Sequence, residues 1–322
     1  MQTRLLPFLR ASAVGARVAA AIMMCAMTGT LASCSMPRVE GRAEAESRAA
    51  ASPCETAYDA ASAHMSLAFA GLSGLGTAAG ADAGNADGGS EAHGPGKDAN
   101  AFDDRATAPV ADISRYIAAD AARSDWLDVA ANCSARFAEG VLRSAQASAR
   151  LSELASRMQL DAADAGALTR LDGVEDSSVP PESLRTVALA EDRAGFALEV
   201  LAARGAAGAT LQASDRHKTT AQQLVSLAGG DDPRAKVYEI SELLAHPDVI
   251  EDPATGLAAP TAAIVELDCA RQSLAPFAAP GGADGTTEDL RAIAALIANR
   301  AAAALALGYP SHDAALFTAS FE

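Results

Sequence analysis

Apolar residues recur at helical spacing through most of the chain. Between Glu55 and about Leu75, the positions Tyr58, Ala61, Met65, Leu67 and Phe69 fall at helical intervals. From about Val110 to Met158, Trp126, Ala130, Cys133, Phe137 and Val141 step by four and three, which predicts one core-facing stripe on a helix. On that stripe the sole tryptophan reads as core and not as a ligand platform. Glu139 with Arg143, and Glu153 with Arg157, stand four apart and are expected to pair on the outer face.

A new unit opens at Ser178-Val179-Pro180-Pro181-Glu182, where a serine can cap and the prolines suit a first helical turn. Four helices are predicted after it, over about 182–204, 207–228, 254–279 and 287–307. They stop at Gly205, Gly229-Gly230, Pro280-Gly281 and Gly308. Pro260 and Pro276 are expected to kink or fray the third. Short, long and short connections imply a bundle with one long crossover. Residues 76–109 carry repeated glycines and aspartates with Phe102 as their only aromatic, so they are expected to be a disordered linker that buries too little to fold. The fold class is all-α, laid out as a tether (34–53), a helical region (54–165) interrupted by the linker, and the bundle (183–308).

Composition supports this reading. Alanine, the best helix former, fills roughly a quarter of the positions. Only 4% are aromatic, which excludes a sandwich or barrel. A formal charge of −16 argues against nucleic acid as a partner, because a phosphate backbone needs lysine and arginine. Gly94-Pro95-Gly96-Lys97 lacks the first glycine of a phosphate loop, and Gly71-Leu72-Ser73-Gly74-Leu75 lacks the last glycine of a nucleophile elbow.

The N-terminus points to export. Residues 1–33 hold Arg4, Arg10 and Arg17 and no acid, and an apolar run from Val18 to Met27 follows. Leu31-Ala32-Ser33-Cys34 resembles a bacterial lipobox, which implies a signal peptide over 1–33, lipidation of Cys34 with palmitate among the acyl chains, and a lipid anchor on the extracytoplasmic face of the cell membrane. The alternative is a transmembrane anchor, since no charge occurs between Val18 and Pro37. Cleavage removes three arginines and no acid, so the charge of −16 becomes −19. Of the remaining thiols, Cys54 and Cys133 are the favoured disulfide, with Cys269 buried and free; three inert buried thiols are the alternative.

The run Leu184–Phe196, Ala-rich with Glu191-Asp192-Arg193 before an aromatic, resembles the first helix of an actinobacterial ferritin-like domain of unknown function. Ser214-Asp215-Arg216-His217-Lys218 resembles its second helix, and the Ala-rich helices around Glu266 and Ile293–Ala304 follow its order. The resemblance covers about 183–308 and implies a ferritin-like four-helix bundle. A di-iron bundle needs two single glutamates and two Glu-x-x-His pairs, all inward. Here Glu191 and His217 fall on inward faces and Glu266 borders the Ala263–Ala270 face of the third helix, but position 214 is Ser where a Glu is needed. After Glu288 and Asp289 the fourth helix has neither carboxylate nor histidine. The expectation is therefore no metal centre, no cofactor and no catalytic residue. Glu191, His217 and Glu266 form either a residual polar site, a structural hydrogen bond or surface charge. Functionally this reads as a non-catalytic envelope lipoprotein that binds a partner protein or small ligand, or serves as a scaffold. The alternative is a metal-dependent oxidase or metal-storage module with a reduced site.

Overall fold

A computed structural model describes residues 51–70, 103–160, 171, 176–278 and 282–310. All of them belong to one compact unit that begins at Ala50. The expected signal peptide, Cys34, most of the tether and linker residues 76–102 lie outside the described residues.

The first helix, α1 (Pro53–Ala68), starts with a reciprocal cap: Ser52 Oγ accepts from the Glu55 amide while the Glu55 carboxylate accepts from the Ser52 amide. The expected single helix over 110–158 is two, α2 (Asp103–Asn132) and α3 (Phe137–Arg157), joined by a 3-10 turn at Ser134–Arg136. Cys133 sits at φ −124°, ψ 84°, outside helical geometry, and the chain doubles back there. The apolar stripe survives because it spans both arms: Trp126, Ala130, Cys133, Phe137 and Val141 are all buried. The arms touch at Gly140, where a Cβ would come within 2.6 Å of the Trp126 carbonyl oxygen and 2.7 Å of the Ala130 nitrogen. Only glycine permits that approach. Helix α2 starts at Asp103, inside the segment expected to be linker. The expected Glu139–Arg143 and Glu153–Arg157 pairs give way to Arg136–Glu139 and Arg150–Glu153, with Arg157 turned to Asp112 instead.

Helices α4 (Pro181–Ala203), α5 (Leu211–Ala228), the short α6 (Ser241–Ala245), α7 (Thr261–Ala278) and α8 (Thr287–Ala306) follow. Helix α7 starts later than expected. Residues before it form an antiparallel hairpin of β1 (Val249–Glu251) and β2 (Ala258–Pro260), with Val249 opposite Pro260. The protein is therefore mostly helical with one small hairpin, instead of purely helical. The cause is Asp252, whose carboxylate accepts from the Ala254 amide and the Thr255 hydroxyl and folds the turn. Arg271 of α7 grips the same carboxylate through two nitrogens at 2.9 and 2.8 Å, and Tyr309 donates to it at 2.5 Å. This buried set ties the long crossover to α7 and to the chain beyond α8.

Helix α4 packs on α5 and α7, α7 on α8, and α8 also on α3 and α2. One apolar core therefore joins both halves of the chain. Phe137 of α3 stacks on Phe277 of α7 with ring centroids 4.7 Å apart, beside Leu127, Leu184, Leu274, Ile293 and Ile297. A second cluster, with Leu198, Leu201, Ala213, Val265 and Cys269, fills the space between α4, α5 and α7. No described helix is long and apolar enough to cross a membrane.

Candidate functional site

Each of four helices sends a charged side chain into the same apolar interior, and α7 adds the Cys269 thiol beside them. Glu191 comes from α4, His217 from α5, Glu266 from α7 and Arg300 from α8, and all are buried. Glu191 follows Val187 and precedes Ala194 and Leu198 on the face of α4 that turns inward. Gly195, one turn on, lets α5 come close. A Cβ there would lie 3.1 Å from the Ser214 carbonyl oxygen and 3.2 Å from His217 Cβ. Ser214 secures this approach by donating to the Gly195 carbonyl at 2.8 Å.

The geometry is a closed set of charge-assisted hydrogen bonds. Arg300 straddles Glu191, its Nε donating to Oε1 and its Nη2 to Oε2, both at 2.8 Å. His217 Nδ1 lies 2.7 Å from Glu191 Oε2, and His217 Nε2 lies 3.2 Å from Glu266 Oε1. With a carboxylate at each nitrogen, the ring is an imidazolium donating both ways. Cys269 Sγ sits 4.0 Å from His217 Nδ1. The other oxygen of Glu266, Oε2, is buried without a hydrogen-bond partner.

Burial opposes the charges of Glu191, His217 and Arg300, and neighbouring charges overrule it. Burial pushes the Glu191 carboxyl up, but Arg300 and His217 together bring it down to about 2. Burial pushes His217 down and Arg300 adds to that, yet Glu191 and Glu266 hold the imidazolium well above its ordinary range. Burial and the Glu191 charge raise the Cys269 thiol to about 11, so it is neutral and unreactive as it stands.

These directions set a pH dependence. The stability that Glu191 confers is complete above its ordinary pKa of 4.5 and is lost as pH falls towards about 2. The stability that His217 confers is complete below its ordinary pKa of 6.5 and is lost as pH rises through its elevated folded value. The urea midpoint is expected to fall on the alkaline side of neutrality, and His217→Gln to flatten that fall. A midpoint that rises with pH above 6.5 contradicts the assignment.

Glu191, His217 and Glu266 thus converge as one buried network, which removes the surface-charge alternative for them. Cys54 and Cys133 are joined as a disulfide, Cα atoms 5.1 Å apart, and Cys269 is free and buried. Sequence reasoning missed Arg300 because it searched the fourth helix for carboxylates and histidines. The signal was present: Arg300 is a lone cation on the face defined by Ile293, Ile297 and Ala304.

The residues do not fit a di-metal centre. Both oxygens of Glu191 are spent on a guanidinium, position 214 is a serine bonded to backbone, and α8 brings a cation where a ligand is required. A surface groove between α1 and α2, lined by Ala57, Ala60, Asp125 and Asp128 among others, shares no residue with the cluster. No protein-family model, curated protein or solved structure matches this chain.

Proposed function

We propose that this is an exported, lipid-anchored envelope protein with a non-catalytic ferritin-like bundle, acting as a binding or scaffold component. The observation that carries the export half is the Cys54–Cys133 disulfide. Such a bond persists where the surroundings are oxidising, outside the reducing cytoplasm. It agrees with a secretory leader over 1–33 and with Cys34 as the lipid-bearing residue. Two acyl chains would hold a strongly acidic body at a membrane whose anionic headgroups repel it.

The bundle half is supported by chain order and by the cluster. Helices α4, α5, α7 and α8 are joined by short, long and short connections, and each contributes a charged side chain to the common centre. A ferritin-like arrangement has that order and that central site. The non-catalytic half is supported by the way the charges close on each other. Both Glu191 oxygens, both His217 nitrogens and one Glu266 oxygen are engaged inside the protein, which leaves no acid–base pair poised for a substrate.

Labelling with a palmitate analogue tests the anchor. The full chain is expected to be labelled and to sediment with membranes. Cys34→Ala is expected to be unlabelled. If Cys34→Ala keeps the same membrane association and mature length, the anchor is a transmembrane segment and the lipoprotein reading is wrong.

A further inference from the structure

We propose that Arg300 is the resident counter-cation of a latent metal site: its guanidinium neutralises Glu191, and a chain without it binds a borderline transition metal such as Co2+ or Zn2+ through Glu191, His217 and Cys269. The inference rests on the sealed, non-catalytic reading of this cluster and is independent of where the chain is located.

Three observations carry it. The first is the donor set. One ligand atom from each of Glu191, His217 and Cys269 lies within 4.8 Å of the others, and all three residues are fully buried. Oxygen, nitrogen and sulfur together suit cobalt and zinc, not calcium or magnesium, which take oxygen ligands. They also differ from the carboxylate-rich di-iron set.

The second is fit. Around a tetrahedral zinc, ordinary bond lengths place nitrogen and oxygen donors about 3.3 Å apart and nitrogen and sulfur donors about 3.6 Å apart. Here Glu191 Oε2 and His217 Nδ1 are 2.7 Å apart, and Cys269 Sγ and His217 Nδ1 are 4.0 Å apart. One pair must open and the other close, each by well under an ångström. An ion drawn in would displace the thiol proton and the Nδ1 proton to solvent, leaving a thiolate and a neutral imidazole as ligands.

The third is charge. Removing the guanidinium leaves Glu191 with His217 as its hydrogen-bond partner among the described residues, in one buried network with Glu266, whose Oε2 is buried and unpartnered. Two buried carboxylates against one imidazole call for a further cation. Arginine answers that need without an ion, through two parallel hydrogen bonds to one carboxylate.

The test is Co2+ titration of the folded chain and of Arg300→Ala, read by visible absorption and by the thiolate-to-cobalt band in the near ultraviolet. The wild-type chain is expected to show neither signal. Arg300→Ala is expected to bind about one Co2+ with tetrahedral d–d bands, since three protein ligands leave one position for water. Arg300→Ala with Cys269→Ser is expected to lose the thiolate band. If Arg300→Ala is unfolded without metal, refolding in Zn2+ is expected to restore its helical circular dichroism. Arg300→Lys keeps the charge and is expected to bind no metal. The proposal is overturned if the wild-type chain develops the same bands. It is equally overturned if Arg300→Ala folds without binding Co2+, or stays unfolded in saturating Zn2+. These readings do not involve the anchor, so a failed palmitate experiment leaves them unaffected.

Discussion

Arg300→Met is expected to lower the folding free energy by about 3–5 kcal/mol. Glu191 is wholly buried and spends both oxygens on the guanidinium. Methionine replaces the volume but leaves a carboxylate with only His217 to oppose its desolvation. The cost is therefore that of an unpaired buried charge, which exceeds the net worth of the intact pair. That distinction gives the experiment its second arm. Replacing both partners, as Glu191→Leu with Arg300→Met, should recover most of the loss, because an apolar pair of similar volume is close to neutral against a buried ion pair. Urea unfolding followed by circular dichroism measures both. A single variant that loses less than about 1 kcal/mol would mean that water reaches Glu191 and that the cluster is not sealed.

Cys54→Ser with Cys133→Ser is expected to cost about 4–5 kcal/mol in the chain-entropy picture, given the sequence separation of 79 residues. The loss should be local first. Helix α1 meets the rest of the chain mainly along α2, through Ala61, the edge-on contact of Tyr58 with Trp126, and the disulfide itself. The His64–Asp125 contact adds little, since both side chains are partly open to water. Hydrogen exchange is the discriminating readout. Amides of Cys54–Ala68 should lose protection before those of α4 and α7 around Leu198 and Cys269, a cluster that shares no residue with the one at the bridge. Uniform loss of protection across all helices would show that the disulfide supports the whole core instead of one helix.

Much of the helical content was legible because alanine and apolar periodicity agree over long stretches. The ends of α4, α5 and α8 fall close to their glycine and proline signals. Two features were not. The break at Cys133 is invisible to periodicity, because the stripe from Trp126 to Val141 stays in phase across the turn and both arms bury it. The hairpin before α7 is the second: β1 falls in the expected long connection, while β2 falls inside the helix expected from about 254. What decides it is the distant Arg271 and Tyr309 gathering around Asp252. The site divides the same way. Glu191 and His217 could be placed inward from the apolar residues that share their faces, with Glu266 bordering such a face. Arg300 could not be placed by that rule alone, since a long arginine on an Ala-rich helix ordinarily reaches outward to water. Only the Glu191 carboxylate, supplied from a helix about a hundred positions earlier, explains why it turns in.

In this cluster a guanidinium, and not a metal, neutralises the buried Glu191 carboxylate. Elemental analysis of the folded full chain, expressed in metal-replete medium and purified without chelator, tests it most directly. Iron, manganese, cobalt and zinc are expected at background, in the wild-type chain and in Glu191→Ala alike. About two iron or manganese ions per chain, the complement of a di-metal bundle, lost in Glu191→Ala, would contradict it.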